Sequence, residues 1–171
     1  SEMCIRDSGR SAVIYNSVDC LTDERTLTMA ETLYTATVTS TGGGRDGRVE
    51  SKAGDLALDV RPPKELGGAG GAANPELLFA ATWASCFNGA LQLIMKNAGV
   101  DVAHHQPTVT ADVSLNRDPS DEGFRLSGTI TVAFANQDEL SNAAELVEKA
   151  HAFCPYSKAV RGEFDADVAL G

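Results

Sequence analysis

The sequence predicts one mixed α+β domain of antiparallel strands and two main helices. Three features carry this reading. Short Thr- and Val-rich segments alternate between glycine turns, a long apolar stretch opens on Asn74-Pro75-Glu76, and a second amphipathic stretch ends at Cys154-Pro155. With 171 residues, 43% of them apolar, the chain is large enough to bury a core.

The elements follow in chain order. Ser1 to Thr28 shows neither helical nor strand periodicity, and Met29 reads as the natural start. Residues 1–28 are therefore expected to be a non-native or disordered extension, and residues 29–171 a single domain. Leu33 to Thr41 alternates as a strand, and Gly42 to Gly47 reads as a turn. Arg48 to Lys52 and Leu56 to Val60 complete a meander that Pro62-Pro63 ends. Leu66 to Ala73 is a Gly/Ala loop. Asn74 then caps a helix, Pro75 suits its first position, and Glu76 favours the positive end of its dipole. The helix is expected to reach about Asn97, some 35 Å long, with Gly99 as its stop. It is apolar around most of its circumference, which predicts a central, buried helix. Thr108 to Leu115 and Phe124 to Ala135 read as a hairpin around Asp118-Pro119-Ser120-Asp121. Asp138 to Phe153 reads as a helix with Leu140, Ala144, Val147 and His151 on one face. Tyr156 to Val160 suggests a short turn, and Glu163 to Leu170 alternates as a final strand.

Charge narrows the function classes. The formal net charge is −10, from 24 acidic and 14 basic side chains. That argues against nucleic acid and anionic membrane as partners, since phosphate binding needs a basic face. The apolar run around Cys86 is interrupted by Ser85, Asn88 and Gln92, so no membrane span is expected. No basic segment with an apolar core opens the chain, which leaves the cytoplasm as the expected compartment. Thiols rest reduced there, and a disulfide is more often catalytic than structural.

The candidate chemistry lies in two cysteines. Cys4, Cys20, Cys86 and Cys154 are far apart and form no C-x-x-C knuckle, so no metal is expected. Cys4 and Cys20 fall within the N-terminal extension. Cys86 lies inside the apolar helix, where desolvation raises a thiol's pKa and makes it inert. It needs a cation, and no Lys or Arg lies within one helical turn. Arg45, in the glycine-rich turn, is the best candidate, and Glu76 can orient it through a carboxylate–guanidinium pair. The opposing reading leaves both side chains in solvent. Cys154 occupies the cap position before Pro155, where its thiol would face free amides. A disulfide to Cys86 requires Cα atoms within about 7 Å.

Other readings are weaker. Gly68 to Ala73 matches the G-x-G-x-x-A fingerprint, but no buried strand precedes it and no βαβ unit follows. His104-His105 lacks companion ligands and reads as a solvated loop. His151, three residues before Cys154, invites a cysteine hydrolase reading, yet the helix breaks between them.

Taken together, Gly43-Gly44-Arg45-Asp46-Gly47-Arg48, Glu65-Leu66-Gly67-Gly68, Asn74-Pro75-Glu76-Leu77-Leu78-Phe79-Ala80-Ala81, Ala84-Ser85-Cys86-Phe87 and Cys154-Pro155-Tyr156-Ser157 appear in one order. From Met29 to Leu170 the chain resembles the organic hydroperoxide resistance (Ohr) proteins of the OsmC/Ohr superfamily. The resemblance implies an intertwined homodimer with central helices packed against antiparallel sheets. It implies that Cys86 is the peroxidatic thiol, Cys154 the resolving thiol, Arg45 the group holding Cys86 as thiolate, and Glu76 the group holding Arg45. The implied substrate is an organic hydroperoxide. It further implies no bound cofactor and an external dithiol reductant, on a lipoylated protein or dihydrolipoamide. Phe79, Trp83 and Phe87 are expected near the substrate. The chain has Thr82-Trp83 where the family usually has Gly-Tyr, and Lys158 where Asn is common, which bears on substrate preference. A non-turnover peroxide sensor or binding protein of the same fold, and an OsmC-type peroxidase of different preference, are the alternatives.

Overall fold

The computed structural model describes residues 5–7, 12–14, 31–163 and 166–170. They fall into two compact units, Ser1–Ala36 and Thr37–Gly171. In the first, β1 (Ile5–Asp7) pairs antiparallel with β2 (Ala12–Ile14). The sequence showed no strand period here, because three-residue strands are too short to display one. Cys4, Cys20 and Met29, like the other residues of the proposed extension beyond these two strands, lie outside the described residues.

The second unit opens with a three-stranded antiparallel meander, β3 (Val38–Gly43), β4 (Asp46–Ser51) and β5 (Ala57–Val60). The first strand was expected from Leu33, but residues 31–37 form no regular element. Alternation makes a strand only where a partner edge exists, and the ladder ends where Val38 meets Ser51, the last residue of β4. The glycine segment is also tighter than expected. Gly43 pairs with Asp46, so Gly44-Arg45 alone makes the turn, with Gly44 at φ 67° as a two-residue hairpin with glycine first requires. Arg45 therefore sits at the hairpin tip.

Helix α1 (Pro75–Asn97) begins as its sequence dictates, with the Asn74 side chain accepting the Leu77 N–H at 2.8 Å and Pro75 in the first turn. Trp83, Phe87, Ala90, Leu91 and Met95 of this helix are buried. Over an 18-residue window the mean hydropathy of α1 is 1.4, long and apolar enough to cross a membrane by composition. In this fold the helix packs instead on the hairpin of β6 (Pro107–Arg117) and β7 (Phe124–Phe134), whose register runs from Pro107↔Phe134 to Arg117↔Phe124. Val109, Ala111, Val113, Ile130 and Val132 face the core.

Helix α2 (Ala143–Phe153) starts later than the expected Asp138. A 3-10 turn at Gln137–Glu139 precedes it, and Leu140 leaves helical geometry (φ −105°, ψ 83°) to enter the core. The buried face consequently runs through Ala143, Leu146, Val147 and Ala150, while Ala144 and His151 are exposed. Cys154 ends α2 and Pro155 begins α3 (Pro155–Val160). The expected final strand from Glu163 is not formed over residues 166–170, where Val168 and Leu170 are fully exposed. No described strand of this chain pairs with it.

Candidate active site: a thiol pair and an ion pair

One helix junction brings the cysteines together. Cys86 lies three turns into α1, and Cys154 forms the corner between α2 and α3. The Cys154 main chain is held on both sides, its N–H donating to Ala150 at 2.8 Å and its carbonyl accepting from Lys158 at 3.0 Å. Both thiols are free, and their sulfurs lie 3.7 Å apart. A disulfide bond is about 2.05 Å long, so closure requires an approach of roughly 1.7 Å, within the reach of side-chain rotation. Cys154 is fully buried, whereas Cys86 retains some exposure.

The electrostatics of Cys86 follow from that placement. Burial pushes its thiol up from the ordinary value, and the neighbouring thiol adds to the rise because two thiolates cannot sit side by side. The main-chain N–H of Tyr156 acts in the opposite sense and favours the thiolate. Here the sequence-based assignment is corrected. The free amides of α3 were expected to serve Cys154, but its side chain makes no capping bond, and the Tyr156 amide acts on Cys86 instead. The clue was Pro155: a proline marks the first helical position, and the amides of a helix's first turn have no partner within it.

Arg45 and Glu76 also meet. Arg45 Nη2 donates to Glu76 Oε2 at 2.7 Å, through one hydrogen bond rather than a two-pronged pair. That bond holds the Glu76 carboxyl below its usual range, against the opposing effect of partial burial. Arg45 is not among the groups that act on Cys86 in this chain. The neighbouring cations are engaged elsewhere: Arg48 with Glu50 and Asp59, Arg61 with Asp59, and Arg161 with Glu163 and the His151 carbonyl.

The expected substrate-facing residues divide. Phe79 lines a groove of about 660 Å³ with Leu126, Pro155, Tyr156, Ala159 and Val160. Trp83 and Phe87 are core residues behind it, 6% and 1% exposed. Leu126, Ala159 and Val160 were not legible as lining, because the groove exists only once α3 docks beside α1 and β7. His151 turns its ring toward Phe87, 6.5 Å between centroids, and makes no hydrogen bond to either thiol among the described residues. His104 pairs with Glu139 at 2.8 Å, and His105 contacts the Ala135 carbonyl. Gly68 lies in the loop that leads to α1.

Comparison with known proteins gives a consistent result. The family model described as OsmC-like protein matches residues 68–168. An organic hydroperoxide resistance protein-like protein of Staphylococcus epidermidis is 43% identical over 141 residues, covering 82% of this chain and 96% of that one. The organic hydroperoxide resistance protein OhrB of Bacillus subtilis is 42% identical, covering 81% and 98%. Its crystal structure superposes with a TM-score of 0.67 over 78% of this chain and 96% of that one. An organic hydroperoxide resistance protein of Legionella pneumophila gives a TM-score of 0.68 at 42% identity, covering 79% and 95%.

Proposed function

Since the chain belongs to the OsmC-like protein family, among the organic hydroperoxide resistance proteins, we propose that it is a thiol peroxidase that reduces organic hydroperoxides to alcohols. The observation that carries this reading is the thiol pair: two free cysteines 3.7 Å apart, one partly exposed and one fully buried.

The cycle balances with the chain's own groups. The Cys86 thiolate attacks the terminal peroxide oxygen; an S–O bond forms, the O–O bond breaks, and the alkoxide takes a proton and leaves as alcohol. Cys86 is then a sulfenic acid. The Cys154 thiol condenses with it, forming the S–S bond and releasing water. An external dithiol, of the dihydrolipoyl type, exchanges with the disulfide and is itself oxidised. The thiols supply both electrons, so the chemistry requires no bound metal, haem or flavin. The Tyr156 amide and the Arg45 guanidinium favour the thiolate and the charge developing on the leaving oxygen. The apolar groove at Phe79, Leu126 and Val160 suits an alkyl tail better than hydrogen peroxide.

A homodimer completes this reading. Only 22% of the apolar window of α1 is buried within the chain, and Leu77, Ala81, Ser85, Gly89 and Leu93 leave a stripe of its surface exposed. The small residues at its centre let a second helix approach closely. Ten residues separate Glu76 from Cys86 on α1, about 15 Å along the axis. An Arg45 fixed to Glu76 of one copy is then the cation for Cys86 of the other. Reduced resting thiols fit the cytoplasm.

Turnover tests the proposal. Reduced protein supplied with dihydrolipoamide should consume many equivalents of cumene hydroperoxide, and hydrogen peroxide more slowly, with no turnover in Cys86→Ser. Consumption of a single equivalent with every dithiol tried would instead identify a peroxide sensor or binding protein.

A further inference from the structure

A second contact runs beside the thiol pair. Trp83, the chain's one tryptophan, donates its indole N–H to the Ser157 hydroxyl at 3.2 Å. Both side chains are buried, Trp83 at 6% exposure and Ser157 at 0%. The positions are matched: Trp83 lies three residues before Cys86 on α1, and Ser157 lies three residues after Cys154 on α3. Trp83 is one turn from Cys86 on the same face of α1, and Ser157 lies in the first turn of α3, which Cys154 caps. The hydrogen bond and the sulfur contact are thus two adjacent ties between α1 and α3.

The indole is itself held from the other sides. Phe79 meets it edge-on, with centroids 6.3 Å apart and planes at 70°. Gly128 of β7 admits it, since a Cβ there would come within 2.7 Å of Trp83 Cζ3. A ring fixed on three sides gives Ser157, and with it α3, a defined distance from α1. Nothing else among the described hydrogen bonds links side chains of these two helices apart from the thiols themselves.

We propose that the Trp83–Ser157 hydrogen bond is a positioning contact for the resolving step, one that keeps Cys154 on Cys86 while Cys86 carries an oxygen. This rests on reading the two cysteines as a redox pair. Attack on peroxide also uses α3, through the Tyr156 amide and the groove wall, but a mobile peroxide can follow a small shift of α3, whereas the tethered Cys154 sulfur cannot. Resolution requires α3 to hold its distance from α1, because the Cys154 sulfur must form the S–S bond as the S–O bond breaks and water leaves. A loosened α3 lengthens the life of the sulfenic acid and gives a second peroxide time to oxidise it to the sulfinic acid, which the dithiol cannot reduce.

The test separates the two steps by rapid quench with cumene hydroperoxide, trapping sulfenic acid with dimedone and counting disulfide and sulfinic acid by mass. Ser157→Ala should leave sulfenic acid formation within about twofold of wild type and slow disulfide formation roughly tenfold, the loss of one buried hydrogen bond. Sulfinic acid should accumulate. Trp83→Phe, which keeps an aromatic ring and removes the N–H, should show the same pattern, and the double variant should be no slower than the slower single one. Disulfide formation at the wild-type rate in both single variants, even with a lowered Tm, would overturn the proposal, as would equal slowing of both steps. Wild-type protein that never forms a Cys86–Cys154 disulfide would sink the redox-pair reading itself, a result separable from any behaviour of the variants.

Discussion

Replacing Arg45 with alanine distinguishes a structural ion pair from a catalytic one. Arg45 and Glu76 lie 2.7 Å apart with 44% and 14% of their side chains exposed. A pair whose arginine is nearly half exposed contributes about 1 kcal/mol or less. For 171 residues, its loss should lower Tm by no more than about 4 °C. If Arg45 also offsets the burial of a Cys86 thiolate, the consequence for reactivity is much larger. A cation about 4 Å from an anion, at an effective dielectric constant of 20, interacts by roughly 4 kcal/mol. If a third of that survives screening, the thiolate population at neutral pH changes about tenfold. The assay is the pH profile of Cys86 alkylation by iodoacetamide in a Cys154→Ser background, where only one of the paired thiols reacts. Arg45→Ala should slow alkylation at neutral pH by at least about tenfold and move the profile to higher pH. Arg45→Lys should recover part of the rate, and Glu76→Gln should fall between them. Tm should stay within the stated few degrees. An unmoved profile in Arg45→Ala would refute the assignment, and a large Tm loss with unchanged alkylation would make the pair structural.

Two further outcomes follow from the same geometry. The Arg45 hydrogen bond lowers the Glu76 carboxyl from its ordinary 4.5, so its contribution to stability is present above that pH and lost as pH falls through the lower folded value. Urea midpoints measured from pH 6 to pH 3 should fall less steeply in Glu76→Gln than in wild type, and superimposable acid limbs would contradict the pairing. Gly128→Ala should destabilise by about 1–3 kcal/mol, because its Cβ meets both the Trp83 ring and the Asp112 carbonyl, at 2.7 and 2.8 Å. Adding Trp83→Phe should recover only the part due to the ring, and chemical denaturation showing no loss in Gly128→Ala would remove the close-packing argument.

The legible elements were those whose signals are local. Asn74-Pro75-Glu76 specifies a helix start through groups within one turn, and α1 begins there. The β6–β7 hairpin was legible because alternation continues across both strands and Asp118 closes the turn through Ser120 and Gly123. Failures came where the outcome depends on a partner. Leu33 to Thr37 and Glu163 to Leu170 alternate as strands do, but a strand requires a partner, and among the described residues neither segment pairs with one. The phase of α2 was misread for a related reason. Leu140 sits on the expected helical face, yet it reaches the core from a 3-10 turn, and that shifts the buried face to Leu146 and Ala150.

The site divides along the same line, and the division explains how a cysteine in an apolar helix can be reactive at all. Residue type singled out Cys86, Cys154, Arg45 and Glu76, since a desolvated thiol needs a compensating charge and a guanidinium needs a carboxylate. What residue type could not show is how α3 is used. The corner at Cys154 sends the Tyr156 amide toward Cys86 rather than toward Cys154, so the resolving segment also supplies polarity to the attacking thiol. The same docking places Ser157 under Trp83 and makes one wall of the groove from Pro155, Tyr156 and Val160. Six residues of helix therefore take part in activation, resolution and substrate contact at once, although their sequence suggests only a short turn. A substitution that displaces α3 as a whole should accordingly perturb all three together, whereas loss of the Trp83–Ser157 bond, which loosens α3 without displacing it, should act mainly on resolution.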